Sequence, residues 1–424
     1  MLEEILDYRN ITKALQQVTG NRGAGGVDGM QTEELRGWLE ANWAKLKQSI
    51  VEGSYRPSPV RKVEIPKASG GTRTLGIPTV VDRLIGQAMH QWLSGQYEAG
   101  FSENSYGFRE GRSAHQAVEQ AKQYLEEGKI WVVEMDLDNF FDRVNHDKLM
   151  GLLAKRITDK GTLKLIRGYL NSGIMEGGLV SPRMEGTPQG SPLSPILSNI
   201  LLDELDRELK ERGHSFVRYA DDLSVYVGSE KSAQRVKESI TEYIEKKLKL
   251  RVNREKTQVS QPQQSTLLGF SFYRNKGNWE IRIAPKSMKR IKEKIRAKTK
   301  RNDPSNAGEK LKKLEAVIEG WVNYFRIARA KSVMQALDSM VRHRIRTGIW
   351  KQWKNPRTRI RNLRKLGASR RNAERWGKLS WGYYRMGNHT ATNTTITNAR
   401  LQRLGYVGFY NYYYWKTECQ GKLF

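Results

Sequence analysis

The spacing of apolar and polar positions changes along the chain and divides it into regions. Residues 1–50 carry apolar side chains at helical spacing on both sides of the glycine-rich stretch 21–29. Residues 51–284 mix short β-branched and aromatic runs with helical stretches, whereas residues 285–354 repeat apolar side chains every three or four positions. This pattern predicts a mixed α/β region followed by a small helical bundle. Beyond residue 355, short basic helices and a tyrosine-rich segment predict a further small domain.

Two apolar runs flank a pair of adjacent carboxylates in FVRYADDLSVYV, residues 216–227. The β-branched and aromatic content predicts two strands, and aspartate favours turns, so we expect Asp221 and Asp222 at a hairpin tip. Two like charges framed by buried side chains repel each other, and a divalent cation relieves that repulsion because hard cations bind carboxylate oxygens. Taken alone, the pair also fits an acidic turn that faces solvent.

A second acidic stretch follows the apolar run Ile130–Met135, which has the length of a strand. Asp136 comes directly after this run. If the strand lies beside the hairpin in one sheet, Asp136 converges with Asp221 and Asp222. Three such carboxylates can hold two Mg²⁺ ions roughly 4 Å apart, an arrangement that activates an attacking hydroxyl and stabilises a leaving pyrophosphate. Together with a basic hairpin at 60–77, which can bind phosphates, and the basic helices downstream, which can hold a duplex, the two stretches predict a nucleic-acid polymerase.

The segment 60–77 predicts a hairpin with a turn at Ala68–Gly71. It would present Arg61, Lys67 and Arg73 together, and three cations around a short turn suit a triphosphate. A generic basic hairpin is the alternative.

Charge is distributed unevenly over the 424 residues, whose net charge is +29. Residues 1–279 contribute +3, and residues 280–424 contribute +26. A polycation with interleaved aromatic residues is typical of a nucleic-acid-binding surface. A merely soluble surface is the alternative, but solubility needs far less charge.

Cysteine content and hydropathy limit the kinds of site and the cellular compartment that we expect for this chain. One cysteine, Cys419, excludes an intramolecular disulfide and a paired-cysteine zinc site. No apolar run approaches the ~18 residues of a membrane span, so we expect no membrane partner. The acidic start MLEEILDYRN does not have the layout of a signal peptide, and we expect a cytoplasmic protein.

Eight segments, taken in order, resemble the motifs of group II intron-encoded reverse transcriptases and maturases of the compact bacterial kind. RYADD alone is a weak indication, but the ordered set is a strong one, and it covers nearly the whole chain. The segments are NRGAGGVDG (21–29), VRKVEIPKASGGTRTLGIPTVVDR (60–83), SYGFREGRSAH (105–115), VVEMDLDNFFDRVNHD (132–147), GTPQGSPLSPILSNILL (186–202), RYADD (218–222), LKLRVNREKTQV (248–259) and LLGFSF (267–272).

The resemblance implies an α+β right-hand polymerase, in which fingers and a palm with an antiparallel sheet precede a helical thumb and a small DNA-binding domain. The expected domains are an N-terminal extension (1–50), fingers and palm (51–284), a thumb or maturase domain (285–354) and a DNA-binding domain (355–424).

Matching the motifs residue by residue implies the site. Asp136, Asp221 and Asp222 are the expected catalytic carboxylates. Phe141 would lie under the sugar and exclude a 2′-hydroxyl, and Gln189 would line the nucleotide pocket. The expected ligands of two Mg²⁺ ions are Asp136, Leu137, Asp221 and Asp222, and the expected dNTP contacts are Arg61, Lys67, Arg73, Phe141 and Gln189.

The implied partners are a group II intron RNA, an RNA template with a DNA primer, target DNA and dNTPs. Ser191 stands where the family usually has glycine, which leaves the local loop geometry open. Many relatives end in a Cys/His-bearing endonuclease domain, which the lone Cys419 cannot supply, so we expect that domain to be absent. The alternatives are a reverse transcriptase that serves defence, repair or diversification, and a splicing-only maturase with vestigial polymerase chemistry.

Overall fold

The computed structural model describes residues 1–66, 72–176, 178–181, 185–187 and 190–419. The chain divides into two units, Met1–Pro262 and Gln263–Phe424. Among the described residues, no helix is both long and apolar enough to cross a membrane.

The first unit alternates helices with short strands, as the mixed apolar pattern predicts. Its helices are α1 (Leu2–Ile5), α2 (Tyr8–Gly20), α3 (Leu35–Val51), α4 (Val80–Tyr97), α5 (Ala114–Glu126), α6 (His146–Ala154), α7 (Lys160–Asn171), α8 (Ser194–Glu211) and α9 (Glu230–Lys246). Its strands are β1 (Val60–Pro66), β2 (Thr72–Ile77), β3 (Trp131–Met135), β4 (Ile174–Glu176), β5 (Leu179–Ser181), β6 (Ser215–Tyr219), β7 (Asp222–Val227) and β8 (Gln258–Ser260).

One antiparallel sheet of the first unit has the strand order β6-β7-β3-β8. β6 and β7 form the predicted hairpin, with Tyr219 opposite Asp222, so the connecting turn is two residues long. β3 pairs with β7 from Trp131 opposite Val227 to Met135 opposite Leu223. The central strands are buried, and α9 packs on β3 and β7. The sheet therefore brings the C-terminal end of β3 beside the hairpin turn.

A second sheet has the order β2-β1-β4-β5. β1 and β2 form the predicted antiparallel hairpin, in which Ile65 lies opposite Arg73. β1 also pairs with β4, in parallel, through Val60 and Arg61. This sheet is mixed for that reason, whereas the sheet around β3 is purely antiparallel.

The second unit is mainly helical after one hairpin, as the repeated apolar spacing predicts. A small core of Trp350, Leu363, Trp376 and Met386 holds its later helices together. Its elements are β9 (Phe270–Asn275), β10 (Asn278–Ile283), α10 (Pro285–Lys298), α11 (Ala307–Phe325), α12 (Lys331–Gln352), α13 (Pro356–Lys365), α14 (Arg370–Gly377), α15 (Tyr383–Gly387), α16 (Thr390–Thr395), α17 (Asn398–Arg403) and α18 (Phe409–Tyr414).

The observed α/β content, the antiparallel sheet and the following helices confirm the expected α+β class. The division at 262/263 places the β9–β10 hairpin in the second unit, although the sequence groups it with residues 51–284. The finer division into four domains stays a prediction.

Candidate functional site

The turn between β6 and β7 carries the adjacent carboxylates. Ala220 adopts a left-handed backbone conformation, with φ at 57°, and this allows the chain to reverse within two residues. Asp221 follows in the turn, and Asp222 is the first residue of β7. Side chains alternate along a strand, so the two carboxylates leave the backbone in different directions.

Asp136 directly follows β3, and the loop 248–257 holds its backbone. Its N–H donates to Thr257 Oγ1 at 3.1 Å, and its carbonyl oxygen accepts from the N–H of Asn253 at 2.8 Å. The next residue, Leu137, bridges to Val252 and has a buried side chain. If Leu137 binds a cation, it therefore does so through its backbone carbonyl oxygen, because its side chain is apolar and buried.

The three carboxylates influence one another electrostatically. Burial, followed by the charges of Asp221, Asp136 and Glu134, raises the pKa of Asp222 to about 6. Asp222 keeps an exposed surface, so this burial reflects the protein atoms packed around its carboxyl group rather than complete enclosure. Burial and Asp136 also raise the pKa of Asp221. Asp136 and Asp221, which are 85 positions apart in the sequence, are therefore close enough for one charge to act on the other.

A cavity of about 970 Å³ in the first unit joins this site to the hairpin β1–β2. Asp136 and Asp221 line it on one side, and Thr72, Thr74 and Leu75 of β2 line it on another. Its volume is ample for a nucleotide, because ordinary ligand pockets measure about 300–1,000 Å³.

The chemistry of the donors fits a hard divalent cation, since carboxylate oxygens that repel one another face the cavity. Among the described residues, however, no group of three or more His, Cys, Asp or Glu side chains is arranged to hold a metal ion. Lys256 Nζ lies 3.5 Å from Asp136 Oδ2 and partly neutralises that carboxylate. The chemistry of the donors is therefore suitable, although the described side chains do not form a ligand group of that size in this structure.

Two adjacent phenylalanines lie in different surroundings near the cavity. A short 3₁₀ turn, Phe140–Asp142, buries Phe140 in the core and leaves Phe141 half-buried, and both side chains line the cavity. The rings meet edge to face, with centroids 5.2 Å apart. The N–H of Thr187 donates to the carbonyl oxygen of Phe141 at 2.6 Å and ties it to the loop before α8.

The structure describes the other expected nucleotide contacts to different extents. Lys67 and Gln189 lie outside the described residues, and of Arg73 the structure describes the backbone, in β2. Arg61 lies in β1 and does not line the cavity. Its charge instead adds to the burial that lowers the pKa of Arg83. Among the described residues, the buried Nε of Arg61 has no hydrogen-bond partner. Its expected role as a dNTP contact stays a prediction.

The side chains of Ser191 and His146 are both buried, and each lies within hydrogen-bond distance of a backbone group. Ser191 is buried, lines the cavity, and accepts a hydrogen bond at Oγ from the N–H of Leu193 at 3.4 Å. The site thus accommodates serine where glycine was expected. His146 is buried at the start of α6, with Nε2 2.7 Å from the carbonyl oxygen of Gly186.

Sequence reasoning missed three residues that surround the carboxylates. Lys256, Asn253 and Arg218 contact Asp136 or the turn before Asp221. All three lie inside recognised motifs, at 248–259 and 218–222, and this was the available signal. Their positions follow from contacts between distant segments, which no local pattern indicates.

The second unit presents a basic surface with aromatic side chains. A shallow groove on and after α14 is lined by four cations, Arg370, Arg371, Arg375 and Lys378, and by Glu374, which pairs with Arg370 at 3.1 Å. The guanidinium of Arg385 stacks 3.9 Å from the ring centre of Trp381. Such a surface suits a phosphate backbone with accessible bases.

Comparison with known proteins gives two family matches. Residues 65–272 match the family "Reverse transcriptase (RNA-dependent DNA polymerase)", and residues 288–367 match "Group II intron, maturase-specific domain".

Individual relatives agree with both matches. The chain is 34% identical to Protein YkfC of Escherichia coli (strain K12) over 272 residues, which cover 55% of this chain and 71% of that protein. It is 31% identical to the group II intron-encoded protein LtrA of Lactococcus lactis subsp. cremoris over 323 residues, which cover 61% of this chain and 54% of LtrA. The chain thus spans about half of LtrA. Among solved structures, a chain of a partial Cas6-RT-Cas1–Cas2 complex has 23% identity and a TM-score of 0.37, with 58% of this chain and 42% of that chain covered.

Proposed function

Because the chain belongs to the group II intron-encoded reverse transcriptases, we propose that it copies RNA into DNA and binds a group II intron RNA to assist its splicing. In intron mobility it would copy that RNA at a DNA target, using the target strand as primer. The observation that supports this most directly is the meeting of Asp136 and Asp221 at one cavity, with Asp222 next to Asp221 in the chain and electrostatically coupled to both. The maturase-specific match over residues 288–367 supports the role in splicing.

The reaction joins a primer 3′-hydroxyl to the α-phosphorus of a dNTP, and pyrophosphate leaves. Asp136, Asp221 and Asp222, with the carbonyl oxygen of Leu137, would hold two Mg²⁺ ions. Bound there, the ions activate the hydroxyl and stabilise charge on the leaving pyrophosphate. The carboxylates supply oxygen ligands at one end of the antiparallel sheet. Their position is restrained there because β3 is paired with a strand on each side.

The incoming nucleotide would lie between that end of the antiparallel sheet and β2. Phe141 would pack against the sugar and disfavour a 2′-hydroxyl, while Lys67 and Arg73 bind the triphosphate and Gln189 lines the pocket. Thr72 and Thr74 on the cavity wall place β2 within reach of such a ligand. Positioning of this kind accounts for much of the rate in phosphoryl transfer.

Primer extension on an RNA template tests the proposal. We expect Mg²⁺-dependent DNA synthesis that a chelator abolishes and added Mg²⁺ restores. Asp222→Ala should lower the rate by at least about a hundredfold, because it removes a ligand from the reacting centre. The matched control is Asp147→Ala. Asp147 lies in the same motif as Asp136, at 132–147, but its carboxylate is 85% exposed, and this variant should extend the primer at the normal rate. A folded Asp222→Ala variant with ordinary extension would contradict the assignment of this carboxylate.

A further inference from the structure

A buried arginine lies directly behind the turn that carries Asp221 and Asp222. The side chain of Arg218, near the end of β6, is 1% exposed. Its Nε and Nη2 donate to the two carboxylate oxygens of Asp206 on α8, at 2.7 and 2.6 Å. Asp206 is fully buried as well. This two-bond fork fixes the orientation of the guanidinium group relative to the helix.

The remaining terminal nitrogen of Arg218 reaches the turn itself. Nη1 donates to the carbonyl oxygen of Ala220 at 2.9 Å and to Asn199 Oδ1 at 3.0 Å. Ala220 directly precedes Asp221 and has a left-handed backbone, which residues other than glycine rarely adopt. The hydrogen bond therefore restrains the one residue whose conformation sets the direction of the two carboxylates.

A neighbouring loop restrains the same turn from the other side. Asn199 Nδ2 donates to the carbonyl oxygen of Gly107 at 2.9 Å, and the N–H of Tyr106 donates to the carbonyl oxygen of Arg218 at 2.8 Å. A Cβ atom added to Gly107 would collide with the backbone nitrogen of Ala220. Helix α8 and this loop thus enclose the turn between them.

Stability alone does not explain a charged pair at this place. Apolar residues of similar volume often stabilise a buried site as well as an ion pair does. An apolar side chain, however, cannot hydrogen-bond the carbonyl of Ala220. We propose that Arg218, Asp206 and Asn199 are positioning residues that hold the backbone of Ala220 and thereby fix the turn that presents Asp221 to the cavity and sets Asp222 beside it. This inference rests on the proposed polymerase function. It states that these residues raise the rate of the chemical step by fixing the position of the carboxylates.

The test compares full-length Asp206→Asn with Asp203→Asn. Asp203 lies on the same helix, is also buried, and pairs with Arg207 at 2.7 Å instead of with the residue behind the turn. Asn199→Ala is the milder second variant, because it removes two hydrogen bonds of the network and leaves no charge unpaired. Three quantities are measured on each folded variant: kcat for dNTP addition, the Kd for an RNA template with a DNA primer, and amide hydrogen exchange in the segment 216–227.

We expect Asp206→Asn to lower kcat about a hundredfold, since a displacement of about 1 Å at a reacting centre has effects of that size. Asn199→Ala should lower kcat about tenfold. Both should keep the template Kd within twofold and should exchange amides in 216–227 at least tenfold faster, whereas Asp203→Asn should match wild type in all three quantities. If Asp206→Asn does not fold, Asn199→Ala decides alone.

Wild-type kcat and wild-type exchange in the folded network variants would overturn the positioning role and leave the polymerase function standing. A wild-type protein that extends no primer would contradict the proposed function itself, while the exchange measurement would still report on the network.

Discussion

At the scale of single residues, Phe140 and Phe141 show how one short turn separates neighbours of identical chemistry. Phe140 is 2% exposed, whereas Phe141 is half-buried and packs against the same core. Both side chains line the cavity, and Phe141 is the more exposed of the two. Its ring is therefore free to contact a ligand.

Shortening Phe141 to alanine should relax sugar discrimination. If the ring packs against the sugar, its removal opens room for a 2′-hydroxyl, and the preference for dNTPs over rNTPs should fall by at least about tenfold, the scale of a lost contact of 1–3 kcal/mol. The measurement is kcat/KM for matched dNTP and rNTP pairs. Val144→Ala is the control, because Val144 is a described residue of the adjoining core that does not line the cavity. An unchanged preference in Phe141→Ala would assign discrimination to another residue.

At the scale of elements, the tyrosine-rich C-terminal segment folds back onto two helices of its own unit. One buried carboxylate on α12, Asp338, accepts hydrogen bonds from Tyr406 OH at 2.6 Å and from the N–H groups of Phe409 and Tyr410 at 2.7 and 3.1 Å. Phe409 also meets Trp321 of α11 edge to face at 5.8 Å. Residues predicted to form part of a small C-terminal domain thus pack on helices predicted to form the thumb.

Asp338→Ala should release this segment. The substitution leaves two backbone N–H groups and a buried tyrosine hydroxyl without their acceptor, and each such loss costs about 1–3 kcal/mol. Limited proteolysis should therefore cut near residues 404–414 at least tenfold faster than in wild type. Tyr412→Phe is the control, since it removes only a peripheral bond to Asn323. Equal cleavage of all three proteins would show that apolar packing alone holds the segment.

At the scale of the whole molecule, charge follows the division into units. Residues 1–262 carry 37 Lys and Arg against 36 Asp and Glu, a net +1, while residues 263–424 carry 37 against 9, a net +28. The structural boundary therefore separates charge more sharply than the boundary at 279 chosen from sequence. Self-repulsion of this magnitude opposes compactness unless a polyanion neutralises it.

Neutralising four cations of the second unit should weaken RNA binding and its salt dependence together. Arg370, Arg371, Arg375 and Lys378 are exposed along one groove. If each contacts a phosphate, their combined replacement by alanine should reduce the slope of log affinity against log salt by about 3, from ~0.7–0.9 per phosphate. Salt titrations on a group II intron RNA measure this slope.

The control for that experiment removes the same amount of charge from the first unit. Lys13, Lys45, Lys47 and Lys231 are exposed there, and their replacement by alanine should change the slope by less than about 1. Equal effects of the two quadruple variants would show that overall charge, rather than the groove, governs binding.

The sequence by itself determined the elements that depend on near neighbours. Runs of apolar, β-branched and aromatic residues predicted β6, β7 and β3, and the turn preference of aspartate predicted the hairpin tip, because strand propensity and turn chemistry act over a few residues. The N-cap of α6 is equally local, since the side chain of Asn145 accepts from the N–H of Lys148 at 2.9 Å. The order of motifs was enough to identify the family.

Only the tertiary structure decided which distant groups meet. The strand order β6-β7-β3-β8 sets Asp136 beside Asp221, and the return of the loop 248–257 sets Lys256 against Asp136. The buried pair of Arg218 and Asp206 likewise joins a strand to a helix, although either residue reads as an ordinary surface charge in the sequence. Such contacts follow from packing across long stretches of chain, which local propensity does not encode.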